Sequence, residues 1–177
     1  LEAMIPRHVA HYQAIKSAVE ALGNIKMARL DFCQRSSRYD QYLAGEKVNI
    51  FDMSLCAGTL MDIGVYCVSA ALDFFGMPKS ITATANTDKD GTDLSGSVVL
   101  DYGNFPAVLT YSKVCNGGIG SEIIGENGSL KIARISQYAD VTLTIGSQTQ
   151  KIVGELTKAE LMRGEAGRFA DYIREPQ

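Results

Sequence analysis

The chain has 177 residues, 46% hydrophobic and 21% charged; this is the length of one domain, and the composition excludes wholesale disorder and coiled coil. Asp and Glu number 20 against 17 Lys and Arg, for a formal charge of −3. A nucleic-acid binder that neutralises phosphates shows a basic excess, and none exists here, so no nucleic-acid partner is expected.

The longest uncharged apolar run, residues 63–72, is about half of the ~20 residues a bilayer requires, so no membrane span is expected. The sequence opens on Leu1 with no basic-then-apolar leader and reads as a fragment or processed product of a cytoplasmic protein. Cys33, Cys56, Cys67 and Cys115 are widely spaced, without a C-x-x-C pair. Metal clips need close pairs, so the thiols are expected to be reduced, small apolar fillers. Asn127-Gly128-Ser129 matches a glycosylation acceptor, but its Asn-Gly pair is better explained as a turn.

The first predicted helix covers residues 7–22, where Val9, Tyr12, Ile15, Val19 and Leu22 form one apolar stripe. Pro6 suits its start and Gly23 its left-handed stop. Residues 25–34 then alternate, with Ala28, Leu30 and Phe32 on one face and Arg29, Asp31 and Cys33 on the other, as a strand does. Residues 35–57 show no period and read as a long loop of the kind that carries function. A second helix is predicted over 59–75. It is apolar on most sides and therefore mostly buried, and it ends at Gly76 and Pro78.

Beyond Pro78 the pattern changes to strands, predicted at 79–87, 95–102, 106–114, 120–124, 129–134, 139–145 and 149–153. Short turn-rich connectors between them make neighbouring strands antiparallel, because a parallel return needs a long crossover. A last helix is expected over 157–173, with Leu161, Phe169, Tyr172 and Ile173 on its buried side. The sum is one α+β domain over residues 1–177: a mostly antiparallel open sheet with helices packed on one face.

Several kinds of chemistry are missing. Gly118-Ile119-Gly120-Ser121-Glu122-Ile123 comes nearest to a dinucleotide loop, but it lacks the last glycine and precedes strand-like residues rather than a helix. His8 and His11, the two histidines of the chain, leave little for a serine–histidine triad or a histidine-rich metal site, and no metal is expected.

The informative segment is Gly58-Thr59-Leu60-Met61-Asp62-Ile63-Gly64-Val65-Tyr66. Asp62 and Tyr66 stand at i and i+4 on one face of an otherwise apolar helix, with Ser69 and Asp73 continuing the row. Burying a carboxylate and a phenol is unfavourable without partners. One reading has both groups in a polar cleft, where Tyr66 exchanges a proton with a carbinol oxygen and Asp62 orients it. A free phenol titrates near ~10, so a positive neighbour is required for that role. The other reading is structural: Thr59-x-x-Asp62 has the spacing of a capping box, and Tyr66 is then a core aromatic. Gly64 keeps the helix thin enough for a backbone or ligand to approach.

The same segment resembles the G-G-x-L-x-D-x-G-x-H/Y motif of the glucose–fructose oxidoreductase / inositol dehydrogenase (Gfo/Idh/MocA) family, in the form found in its dihydrodiol dehydrogenase-like branch. Glu2-Ala3-Met4 with Arg7 resembles the family's E-A-x-x-x-R crossover, Leu22-Gly23-Asn24-Ile25 its step into the first strand, and residues 124–130 its I-x-G-x-x-G-x-L hairpin. The resemblance implies the C-terminal, substrate-binding half of a two-domain oxidoreductase, with NAD or NADP held by an absent N-terminal Rossmann domain that also carries an E-K-P lysine. It implies catalytic roles for Asp62 and Tyr66, and contacts to substrate or cofactor from Arg7, Arg38 and Tyr42. It further implies a polyol or carbonyl substrate and a homodimer formed through the open sheet face, with the fragment alone inactive. Cys56-Ala57-Gly58 departs from the family's glycine pair, and the chain ends at Glu175-Pro176-Gln177, where a further helix is expected. A non-catalytic sheet domain, used for dimerisation or small-ligand binding, is the alternative.

Overall fold

The computed structural model describes residues 4–175; Glu2 and Ala3 of the crossover motif, and Pro176 and Gln177, lie outside the described residues. In chain order the elements are α1 (Tyr12–Ala21), β1 (Ile25–Cys33), α2 (Tyr39–Leu43), α3 (Val65–Phe75), β2 (Ser80–Thr87), β3 (Asp93–Asp101), β4 (Pro106–Ser112), β5 (Ser121–Gly125), β6 (Gly128–Arg134), β7 (Ala139–Ile145), β8 (Gln148–Val153) and α4 (Lys158–Arg174).

The eight strands form one sheet in the order β2-β3-β4-β1-β5-β6-β7-β8. Every pair joined by a short turn is antiparallel, as the turn residues require. The exception to the antiparallel expectation is β1, which runs parallel to β4 with Ala28 opposite Ala107, and antiparallel to β5. Two helices and two strands lie between β1 and β4 in the chain, so the crossover a parallel pair needs is available.

The alternation of β1 decides the layers. Ala28 and Leu30 are fully buried and join Ala107, Leu109 and Ile123 beneath Ile15, Leu22, Cys67 and Ala71 of the helices. Arg29, on the other face, pairs with Glu122. The core therefore lies on one side of the sheet, and the opposite side stays open.

The first helix is shorter than predicted. Ile5–Arg7 is a separate single turn before α1. Gly23, at φ +71°, makes the left-handed stop. Asn127, in the β5–β6 turn, donates from its side chain to the Ala21 carbonyl at 3.1 Å and so ties the end of α1 to the sheet. The stretch over 35–57 is not featureless: besides α2 it contains single turns at Asn49–Phe51 and Met53–Leu55, too short to show a period.

The second predicted helix is not buried all round. Met61 and Leu72 are exposed on its outer side, because the sheet covers it from below and no other layer among the described residues covers it from above. By length and composition the stretch Met53–Phe75 would suffice to cross a membrane; here Ile63, Cys67, Ala70 and Ala71 are buried and α3 lies against β1 and β4. Helix α4 opens with a complete capping box between Thr157 and Glu160. Of its expected buried side only Leu161 is buried, while Phe169 and Ile173 are exposed; among the described residues α4 packs chiefly on the turn before α1. The four cysteines are free thiols. Cys67 is buried, but Cys56 and Cys115 are exposed surface groups rather than core fillers.

Candidate active site

Residues Leu60–Gly64 form a π turn that runs directly into α3. Such turns widen a helix locally and recur at functional positions. The capping-box reading of Thr59 and Asp62 does not hold. Asp93, at the head of β3, accepts from the Thr59 N–H at 3.0 Å and the Leu60 N–H at 2.7 Å, and its carbonyl accepts from the Thr59 hydroxyl at 2.7 Å. A carboxylate from across the sheet thus satisfies the first N–H groups of the helical stretch. The Asp62 side chain is left free for other work.

That side chain is 40% exposed and forms an ion pair with Lys113, whose own side chain is only 9% exposed. Lys113 follows β4 and continues its inward phase after Ala107, Leu109 and Tyr111, which brings its ammonium to the helix side of the sheet. Burial, and then the charge of Arg38, push the Lys113 pKa below the usual lysine value.

Tyr66 is half-buried one turn beyond Asp62, and its ring meets Phe32 of β1 edge-on, with centroids 5.7 Å apart. Phe32 also lines a hollow of about 550 Å³ at the strand ends, together with Asp31, Gln34, Asn116, Gly120 and Gln137. Asp62, Tyr66 and Lys113 do not line that hollow themselves; Phe32 is the side chain that touches both Tyr66 and the hollow. Gly64 does make room for something, but that something is the Tyr111 ring of β4, which an added Cβ would meet at 3.0 Å.

Of the remaining predicted residues, Arg38 is exposed and close enough for its charge to act on Lys113. Arg7 lies elsewhere: it approaches Asp73 at 3.9 Å, and Asp73 is ~16 Å along the helix from Asp62 at the usual rise per residue. The same carboxylate accepts from the Tyr12 hydroxyl at 2.6 Å, so the far end of the polar row holds the lead-in segment. The hydroxyl of Tyr42 donates to Asp88 in the β2–β3 turn, and its ring packs on Phe51 with centroids 4.6 Å apart. Burial and then Asp88 push its pKa up to about 12. Among the described residues no three of His, Cys, Asp and Glu gather where they could hold a metal ion; His11 bonds the Tyr138 carbonyl at 2.9 Å.

Sequence reasoning missed Lys113, Asp93 and Phe32 as partners of this site. Lys113 had a signal, since a lysine in phase with the buried residues of an alternating strand requires a counter-charge. Asp93 had none, because its contact joins segments that only the folded sheet brings together.

Residues 12–131 match the GFO/IDH/MocA C-terminal domain. The uncharacterized oxidoreductase YgjR of Escherichia coli (strain K12) is 39% identical over 166 residues, covering 93% of this chain and 50% of that protein. The scyllo-inositol 2-dehydrogenase (NADP(+)) IolU of Bacillus subtilis (strain 168) is 33% identical over 175 residues, covering 99% of this chain and 53% of that protein. Among solved structures, an aldose-aldose oxidoreductase from Caulobacter crescentus superposes with a TM-score of 0.76 at 18% identity, over 96% of this chain and 52% of that one. The chain spans about half the length of the curated relatives it matches. With its mixed sheet, the Asp62–Tyr66 segment at the head of α3 and this agreement over nearly its whole length, the chain belongs to the GFO/IDH/MocA family, as a C-terminal domain.

Proposed function

We propose that this chain is the substrate-side and dimerisation half of an NAD(P)-dependent oxidoreductase that acts on a CH–OH group of a sugar, cyclitol or dihydrodiol, or on the corresponding carbonyl. One observation carries the reading: Asp62 and Tyr66 stand one turn apart where the helical stretch begins, the first 40% exposed and paired with the Lys113 ammonium, the second half-buried against the Phe32 ring.

When bound, a nicotinamide cofactor supplies a hydride acceptor or donor. The residues of this chain suit the alcohol and not the dinucleotide. Gly117-Gly118-Ile119-Gly120 leads into strand β5, so no helix N-terminus is present there to receive a pyrophosphate. In the oxidative direction Tyr66 acts in its phenolate form, taking the proton of the carbinol hydroxyl to become a phenol as the carbon gives up its hydride. In the reductive direction Tyr66 returns the proton to the carbonyl oxygen. Asp62 fixes the orientation of the substrate hydroxyl and favours one placement of the shared proton.

The test is Tyr66→Phe in the full-length parent, with NAD and NADP each supplied and a panel of cyclitols and aldoses as substrates. Loss of a positioned acid–base lowers kcat by roughly 10²- to 10⁴-fold with KM little changed. A kcat equal to that of the unaltered enzyme would remove Tyr66 from the chemistry.

A further inference from the structure

Lys113 is a buried cation beside a partly open carboxylate, the reverse of where lysine usually places its charge. Its backbone is held from both sides. The Lys113 N–H donates to the Leu94 carbonyl at 3.2 Å, and its own carbonyl accepts from the Ser36 N–H at 2.8 Å. The main chain at Lys113 is thereby fixed between β3 and the segment after β1, and the side chain, 9% exposed, is held by burial and by its contact with Asp62. A desolvated ammonium keeps its proton only beside a counter-charge, and Asp62 is the carboxylate it contacts.

The other charged and titratable groups around the pair are accounted for. Arg38, from the segment before α2, adds positive charge. Tyr66 comes from α3, and Tyr111 packs from β4 against Gly64. The Asp93 carboxylate is committed to the Thr59 and Leu60 N–H groups. Asp31, on β1, accepts instead from the Thr110 hydroxyl and the Cys33 thiol. Lys113 is therefore the group in a position to set the charge state of Asp62.

We propose that Lys113 is a positioning residue for Asp62: it keeps the carboxylate ionised and fixed in place, so that the site carries a built-in cation from this half of the parent. The proposal rests on Asp62 and Tyr66 being the proton-handling pair, and it adds Lys113 to them as a third side chain.

The experiment follows the side-chain carboxyl of Asp62 by ¹³C NMR against pH in this chain, in the unaltered form and in Lys113→Met and Lys113→Arg. Removing a cation in contact raises a carboxyl midpoint by about one unit or more, so Asp62 titrates higher in Lys113→Met and returns in Lys113→Arg. In the parent enzyme the acid limb of kcat/KM against pH moves upward by the same amount in Lys113→Met, because the protonated, inactive form of Asp62 then persists to higher pH. The fall in kcat exceeds any change in KM, and arginine restores the limb. An Asp62 midpoint identical in the unaltered chain and Lys113→Met overturns the proposal, as does an arginine variant that behaves like the methionine one.

Methionine is close to lysine in length, and the carboxylate left behind is open to water, so the variant is expected to fold. Should circular dichroism show otherwise, Asp62→Asn gives the reciprocal measurement at the Lys113 ¹³Cε. Its midpoint then falls, and an unmoved midpoint overturns the proposal. The two readings fail separately: a Tyr66→Phe parent with full turnover ends the proton-transfer role and leaves the Asp62 titration shift standing.

Discussion

Gly64 marks the point where the π turn passes into α3, and an alanine there would bring its Cβ to 3.0 Å from both Tyr111 Cγ and Leu60 Cδ1. A ring held on a central strand cannot retreat far, so the crowding is relieved by moving the π turn. Gly64→Ala should cost about 1–3 kcal/mol, read as a lower denaturant midpoint with unchanged slope. Asp62 rides on the same turn, so its carboxyl titration should change in that variant too. An unchanged midpoint would mean that the turn yields freely and that the glycine is not needed for packing. The chemistry of this site was partly legible at this scale. The i, i+4 spacing of Asp62 and Tyr66 was visible in the sequence, and so was the glycine between them. The use made of that glycine was not visible, because the group it admits comes from β4, far along the chain.

At the scale of elements, the segment over 35–57 is held down by contacts to the β2–β3 turn. Tyr42 donates to Asp88, and the Thr92 hydroxyl donates to the Phe51 carbonyl at 3.0 Å. The Tyr42 hydroxyl, followed by the N–H groups of Thr92, Asp90 and Gly91, holds the Asp88 carboxyl below its usual value, against the opposing effect of its burial. A carboxylate whose pKa is lowered by folding contributes its stabilisation above the usual carboxylate range. That contribution fades as pH falls through the lowered value. The protection factors of residues 39–53, exchange rates corrected for the intrinsic pH dependence of amide exchange, should therefore fall on acidification in the unaltered chain. In Tyr42→Phe they should be lower already at neutral pH and respond less to acid. Equal protection in both forms would show that the ring stacking alone holds the segment. Element positions were largely readable because each hairpin carries its own turn residues, and β7 falls at 139–145 as predicted. The single turns at Asn49–Phe51 and Met53–Leu55 were not, since three residues show no periodicity. The buried side of α4 was misjudged for a different reason. Apolar spacing marks a face suited to burial, and Phe169 and Ile173 have that spacing but no described layer to meet.

At the scale of the molecule, the sheet has helices on one side and a bare surface on the other. An antiparallel sheet can leave such a face in water, and this one is rich in hydroxyl and charged groups, with Met27 and Val99 exposed among them. If the proposed homodimer forms through this face, Met27→Glu with Val99→Glu puts four like-charged groups into the contact and should yield a monomer by sedimentation equilibrium. Both positions are exposed, so each change should alter stability by no more than about 0.5 kcal/mol. A dimer that persists would move the interface elsewhere. The layer arrangement followed from alternation within each strand, but the insertion of β1 between β4 and β5 did not. Local turns specify which consecutive strands pair, and they carry no information about a strand whose partners both lie far along the chain.

That insertion has a consequence for how the protein is made. Ala28 is flanked by Ala107 on one side and Ile123 on the other, so the ribosome delivers the middle of the sheet long before either neighbour. Until β4 emerges both edges of β1 stand unpaired, and the edge that β5 covers stays open until the β5–β6 hairpin follows, an invitation to foreign strands. The two meanders can each form on their own, but the slow event is their closure onto a single ribbon that has been waiting from the start.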